Sequence, residues 1–209
     1  MASRKQSSTS ESSDTVLIQI VDAALVEAAR KSGEWLVCRP GCTQCCVGVF
    51  AINQLDVARL QRGMTELDSE DPERAARVRE RARGSVERLR AAFPGDPVTG
   101  LLDDGEDAQE AFAEFGNEET CPALDPATGT CDLYAARPMT CRVFGPPVRT
   151  EGGLGACELC YHGASDEQIA SREMDADPCD LESALVAELE RDGKRGNTIV
   201  AWTLGEPKG

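Results

Sequence analysis

The sequence predicts a mainly α fold, a single small domain of helices around an irregular, cysteine-rich metal-binding centre. Three observations lead there. Apolar residues recur at helical spacing along several segments, some of them opened by a capping residue. No regular alternation of strands and helices follows the first cysteines. And aromatics are only 4% of the 209 residues while cysteines number ten, so Leu, Val, Ala and Ile must carry the packing, with something else helping to hold the fold.

The elements follow in order. Residues 1–13, MASRKQSSTSESS, are a polar tail with almost nothing to bury, and disorder is expected there. The domain is expected over 14–192, with its motif core at 35–160 and a C-terminal tail over 193–209. Asp14 is suited to cap a helix running to about Lys31, with Gly33 ending it. Its apolar run contains Gln19, Asp22 and Glu27, so it reads as amphipathic; a membrane helix needs roughly 18 to 20 apolar residues. It also lacks the small-residue cleavage site of a signal peptide.

Leu55, Val57, Ala58 and Leu60 mark a second helix from Asn53 to about Gly63. Asp71-Pro72 starts a third, a capping carboxylate followed by proline at the first helical position. That helix carries seven arginines against three glutamates over residues 73–93, with Val78, Ala82, Val86 and Leu89 as a narrow apolar stripe. Its arginines read as a solvated face that offsets the acidic remainder of the chain. An acidic, Pro/Gly-rich connection spans 94–120, around Phe112 and Phe115. Ser165 with Gln168 forms a capping box, and Asp177-Pro178 starts a further helix that Gly193 terminates. The ending NTIVAWTLGEPKG reads as a short strand or a docked tail anchored by Trp202.

The net charge of −15 excludes the basic patch that nucleic acid requires. With neither membrane span nor export signal, a cytoplasmic location is expected, where thiols stay reduced. Cysteines in that setting point to metal before disulfides.

The pattern is C-x3-C-x2-C-C from Cys38 through Cys42, Cys45 and Cys46. Cys121, Cys131 and Cys141 follow at intervals of ten, then Cys157-x2-Cys160, then Cys179. Spacings of two or three residues let one turn of backbone aim two thiolates at a common point. Gly41 would allow a tight turn whose amides face the sulfurs. The adjacent pair is the sharpest clue. Neighbouring side chains of extended backbone point to opposite sides, so Cys45 and Cys46 cannot easily share one tetrahedral ion. They serve two neighbouring sites, or one of them packs, or both reach different irons of a cluster. Cys179 reads as a small hydrophobe. His162 is the only histidine and reads as a surface imidazole, so any site is sulfur-ligated. Arg137 and Arg142 flank Cys141, either to offset thiolate charge or as surface ion pairs.

The runs CRPGCTQCC and CPALDPATGTCDLYAARPMTCRVF, with the late cysteine of GAC, resemble the YkgJ-like cysteine-cluster family, a domain associated with chelation of zinc or iron through eight cysteines (CxxxCxxCC motif). The resemblance covers about residues 35–160. It implies that Cys38, Cys42, Cys45, Cys46, Cys121, Cys131, Cys141 and Cys157 are the metal ligands, with Cys160 and Cys179 additional and Cys160 competing with Cys157 for the last place. A related domain occurs in flagellin lysine methylases, so the resemblance admits a modification enzyme.

Zinc in one or two four-thiolate sites accounts for eight cysteines and makes the chain a structural or interaction module. An iron–sulfur cluster accounts better for the adjacent pair, and that geometry favours it. The expected function is therefore a metal-chelating protein whose cofactor is Zn2+ or iron, with a protein partner left open. The alternative is an iron–sulfur-dependent redox or methylase-like enzyme. The Cys38-x3-Cys42-x2-Cys45 run coincides with the radical S-adenosylmethionine signature. However, Gln44 stands where that family carries an aromatic, and about 160 residues are too few for its partial barrel. Cys157-x2-Cys160 lacks the strand–helix setting of a redox pair. A single histidine forms no Ser/His/Asp grouping.

Overall fold

The computed structural model describes residues 3–150 and 152–205, with side chains from residue 12 onward apart from these gaps. Part of the expected polar tail, Met1 and Ala2 with the side chains of residues 3–11, and the last four residues of the C-terminal tail lie outside the described residues. The fold is mainly α, as the periodicity predicts. Its helices are α1 (Ser3–Ser32), α2 (Gln54–Glu70), α3 (Pro72–Leu89), α4 (Glu106–Ala113), α5 (Met139–Val143), α6 (Asp166–Ala170), α7 (Leu181–Arg191) and α8 (Val200–Gly205). Three small antiparallel pairs accompany them: β1 (Gly95–Asp96) with β2 (Leu101–Leu102), β3 (Leu124–Asp125) with β4 (Thr130–Cys131), and β5 (Val148–Thr150) with β6 (Gly153–Gly155). No helix among the described residues is long and apolar enough to cross a membrane. The chain divides into two compact units, Met1–Arg39 with Met139–Asp192, and Pro40–Pro138 with Gly193–Gly209.

The second unit is built on α2, α3 and α8. Asn53 caps α2, its side chain accepting from the Leu55 and Asp56 amides at 2.9 and 3.0 Å. The helix does not stop near Gly63 but runs on to Glu70, because Met64 and Leu67 continue its buried stripe. Gly63 has a packing role instead: a methyl group there would collide with Ala136 Cβ. Asp71 caps α3 through the Arg74 amide at 3.0 Å, with Pro72 in the first turn as expected. Val78 and Ala82 are fully buried among Ile52, Leu60, Met64, Val200 and Leu204.

Of the two readings of the chain's end, the docked one holds: Thr198 makes a single antiparallel bridge to Ile52, and the segment closes as a short helix, α8, buried from Val200 through Trp202. The Trp202 ring lies 4.3 Å from that of Phe93. Six residues are too few to be a stable helix alone, so the core they enter decides their structure.

In the first unit α1 begins well before Asp14, which is buried inside the helix and does not cap it. Leu17, Val21 and Ala28 form its buried stripe. The buried Arg142 of α5 donates to Asp22 at 2.9 Å, so of the two arginines flanking Cys141 this one is an ion-pair partner. Ser165 and Gln168 make the expected capping box on α6. Helix α7 begins at Leu181, not at Pro178, because Asp180 is left-handed (φ +52°) and Asp177 reaches forward to the Glu182 amide at 2.8 Å.

Candidate metal centre

All ten cysteines are free thiols. The first unit holds Cys38, Cys141, Cys157, Cys160 and Cys179, and the second holds Cys42, Cys45, Cys46, Cys121 and Cys131.

In the second unit, backbone pairing assembles four of the thiols. The Cys121 amide donates to the Cys46 carbonyl at 2.8 Å, and the Gly48 amide to the Glu119 carbonyl at 2.9 Å, around an antiparallel bridge between Val47 and Thr120. Cys121 therefore lies across from Cys46 although 74 residues separate them. The chain then turns back: β3 and β4 set Leu124 opposite Cys131, and the Asp132 amide donates to the Ala123 carbonyl at 2.7 Å. Cys121 and Cys131 are half-buried against the apolar core.

Cys45 and Cys46 correct a sequence expectation. They do not lie in extended backbone but in a 3-10 turn, Gln44–Cys46, closed by the Cys46 amide on the Thr43 carbonyl at 2.8 Å. With three residues per turn, consecutive side chains diverge by about 120°, and these two sulfurs hydrogen-bond to each other. Adjacency therefore does not force the pair onto separate ions or different irons, and the geometric reason for preferring a cluster over zinc falls away.

The electrostatics of the four sulfurs are uneven. The hydrogen bond from the Cys46 thiol pulls Cys45 from its ordinary value of 9.0 down to about 6, against the opposing effect of burial, with the Cys45 amide and the Arg137 guanidinium assisting. The same hydrogen bond, then burial and the charges of Cys45, Cys121 and Cys131, pushes Cys46 up. Burial pushes Cys121 up to about 12, opposed by the nearby Ala123 and Leu124 amides. Burial raises Cys131 too, against the Leu133 amide and Arg137. Without metal this group holds one thiolate and three thiols.

Those amides are the fitting observation for a metal. Backbone N–H groups two or three residues past a cysteine stabilise a thiolate without competing for its ion. They stand near Cys121 and Cys131, and Gly41 takes a left-handed conformation (φ +88°) in the turn expected there. Arg137 is nearly buried, stacked 3.9 Å over the Tyr134 ring while donating to the Tyr134 carbonyl at 3.0 Å. Its charge bears on Cys45 and Cys131, in keeping with the thiolate-offsetting role. Among the described residues no group of three or more His, Cys, Asp or Glu side chains is placed to hold a metal ion.

In the first unit Cys157 and Cys160 are buried with Tyr161 against Trp35 and Leu36. Cys38 is exposed, Cys141 half-buried on α5, and Cys179 exposed in the stretch before α7. Cys160, which the eight-cysteine reading left out, is as deeply buried as Cys157; its signal in the sequence was the C-x2-C spacing.

A thiol-only donor set assembled by backbone pairing is the chemistry of a thiolate metal-binding protein. More particularly, the family described as "Putative zinc- or iron-chelating domain" (CxxCxxCC) matches residues 37–161. The chain belongs to that family. No curated protein and no solved structure matches it.

Proposed function

We propose that this protein chelates zinc or iron in the reducing cytoplasm, with Cys45, Cys46, Cys121 and Cys131 as the ligands of one centre. The observation that supports the reading is the pairing of Cys46 with Cys121 ahead of a hairpin that returns Cys131. Cys45, the most acidic of the four thiols, would hold the ion together with Cys46, Cys121 and Cys131, which would have to give up their protons to ligate it. A bound divalent ion supplies the positive charge that offsets several thiolates in one place. Arg137 and the hairpin amides share the negative charge that remains. Cys42, in the same unit, makes five thiols, enough for a closed four-ligand centre with one over.

The test is purification without oxygen, followed by measurement of zinc, iron and acid-labile sulfide per chain. Zinc or iron bound in wild type, and diminished in a Cys121→Ser/Cys131→Ser variant, supports the reading. Iron with matching sulfide would identify the centre as an iron–sulfur cluster. Metal-free protein that also takes up neither ion when supplied would overturn it.

A further inference from the structure

The first unit carries a buried pair of thiols, Cys157 and Cys160, that the proposed centre leaves unused. We infer that they are a redox dithiol, closed to an intramolecular disulfide by a low-molecular-weight disulfide, with Cys38 as the exposed thiol through which the exchange enters. The inference does not rest on the chelation reading.

The chain brings the pair together locally. The Cys160 amide donates to the Cys157 carbonyl at 2.8 Å, closing a turn over Glu158 and Leu159 just past β6. The ends of such a turn have Cα atoms within about 7 Å of each other, and a disulfide spans about 4.4–6.8 Å between Cα atoms. Both side chains enter one buried cluster with Tyr161, at 5% and 6% exposure. A tight turn is not the strand-to-helix setting of a catalytic C-x2-C, so the pair reads as a bridge that opens and closes.

Both ends of that turn are held. The Cys157 amide donates to the Gly145 carbonyl at 3.2 Å, and the Tyr161 amide to the Trp35 carbonyl at 2.9 Å. The Tyr161 hydroxyl lies 2.5 Å from Ser32 Oγ. Tyr161 itself is left-handed (φ +61°), a strained conformation for an aromatic residue. These restraints keep the two thiols at the ends of one turn, so closing the bridge is an intramolecular step.

A buried pair needs a way in for the oxidant, and Cys38 supplies it. A Cβ on Gly145 would stand 2.8 Å from Cys38 Sγ, so this exposed sulfur occupies the space of the missing side chain. The same glycine accepts from the Cys157 amide. Cys38 attacks one sulfur of the small disulfide, and the other half departs as a thiol carrying the Cys38 proton. Cys157 attacks the Cys38 sulfur of the mixed disulfide and releases the second half as a thiol. Cys160 then attacks Cys157, and its proton returns Cys38 to the thiol. One small disulfide is reduced to two thiols, and the pair loses two hydrogens. In a reducing cytosol, disulfides of this kind are transient and serve sensing.

Oxidised glutathione is the probe, added to reduced full-length protein. Samples are unfolded at intervals in N-ethylmaleimide and mapped by mass spectrometry. In wild type the peptide carrying Cys157 and Cys160 should become two hydrogens lighter and unlabelled. Cys38→Ser should reach the same bridge about tenfold more slowly, since the oxidant must then find a buried sulfur directly. Cys157→Ser/Cys160→Ser should stop at a glutathione adduct on Cys38. Labelling of both Cys157 and Cys160 in wild type after long incubation would overturn the dithiol, and that readout does not depend on how the variants fold. An undiminished rate in Cys38→Ser would overturn the entry through Cys38 and leave the pair standing.

Discussion

Arg81 Nη2 donates to the Asp132 carboxylate at 2.6 Å, while Nε of the same guanidinium holds the Pro122 carbonyl at 2.9 Å. Pro122 follows Cys121 and Asp132 follows Cys131, so one arginine of α3 fastens both cysteine-bearing arms of the hairpin. Arg74 joins it on Asp132 at 2.5 Å, and the carboxylate is only 2% exposed. Arg79 pairs with Asp68, and Arg88 with Glu119 at 2.6 Å. Two arginines of the helix, Arg74 and Arg81, thus clamp the cysteine hairpin, while Arg77, Arg83, Arg88 and Arg90 keep the solvated face expected of it.

Removing the clamp should weaken metal binding more than it weakens the fold. Arg81→Ala leaves Asp132 with Arg74 alone, and positioning groups of this kind are worth about 10- to 100-fold in metal affinity. Competition against a chromophoric chelator measures the loss, with circular dichroism expected to show α3 intact. An unchanged affinity would reduce Arg81 to a surface ion pair.

Cys45 should be the reactive thiol of the metal-free protein. Its value of about 6 makes it a thiolate at pH 7, and protonation as pH falls through 6 should quench alkylation by iodoacetamide. Replacing its hydrogen-bond donor, Cys46→Ala, should move the midpoint up toward the ordinary 9.0. A Cys45 midpoint near 9 in wild type would show that the hydrogen bond does not hold in solution.

Proton release follows from the same imbalance. Cys46 and Cys131 lie above the ordinary thiol value and Cys121 at about 12. Filling this centre with Zn2+ at pH 7.5 should therefore free about three protons, one from each of them. Titration in weak buffer counts them, and as pH falls the affinity should drop steeply because protons compete for the same sulfurs.

Metal removal should soften the protein without abolishing its helices. The core of Ile52, Leu60, Val78, Ala82, Val200 and Leu204 is closed by apolar packing, so α2, α3 and α8 need no ion. An ion present at 100 times its dissociation constant adds about 2.7 kcal/mol, or roughly 5–10 °C in Tm for a chain of this size. A chelator should remove that increment while leaving far-ultraviolet ellipticity nearly unchanged.

Gly63→Ala tests packing against propensity. Alanine favours a helix by up to about 1 kcal/mol over glycine, yet here the new methyl would meet Ala136 Cβ, which cannot swing aside. Collision should win, for a net loss of about 1–3 kcal/mol read in thermal melts. A stabilised variant would mean that α2 and the turn carrying Ala136 separate easily.

Much of this was legible in the chain. Local chemistry announced the start of α3 at Asp71-Pro72 and the capping box at Ser165, because a cap needs only its own neighbours. The thiol-only character of the site was plain from one histidine against ten cysteines. Other boundaries were not local matters. Gly63 resembles a helix end until Ala136 is seen against it, Asp14 resembles a cap until it is found buried, and the choice between strand and docked segment at the ending is made only where Trp202 meets Phe93.

By itself, then, the sequence determined a mainly α chain whose chemistry is sulfur and metal, since residue type and short-range spacing carry that information. Only the tertiary structure decided which sulfurs belong together. Cys46 and Cys121 are joined by a backbone hydrogen bond across 74 residues, and Cys38 lies against Gly145. Spacing constrains thiols within one turn of chain. Partners brought together from distant segments are set by the packing that closes the loop between them.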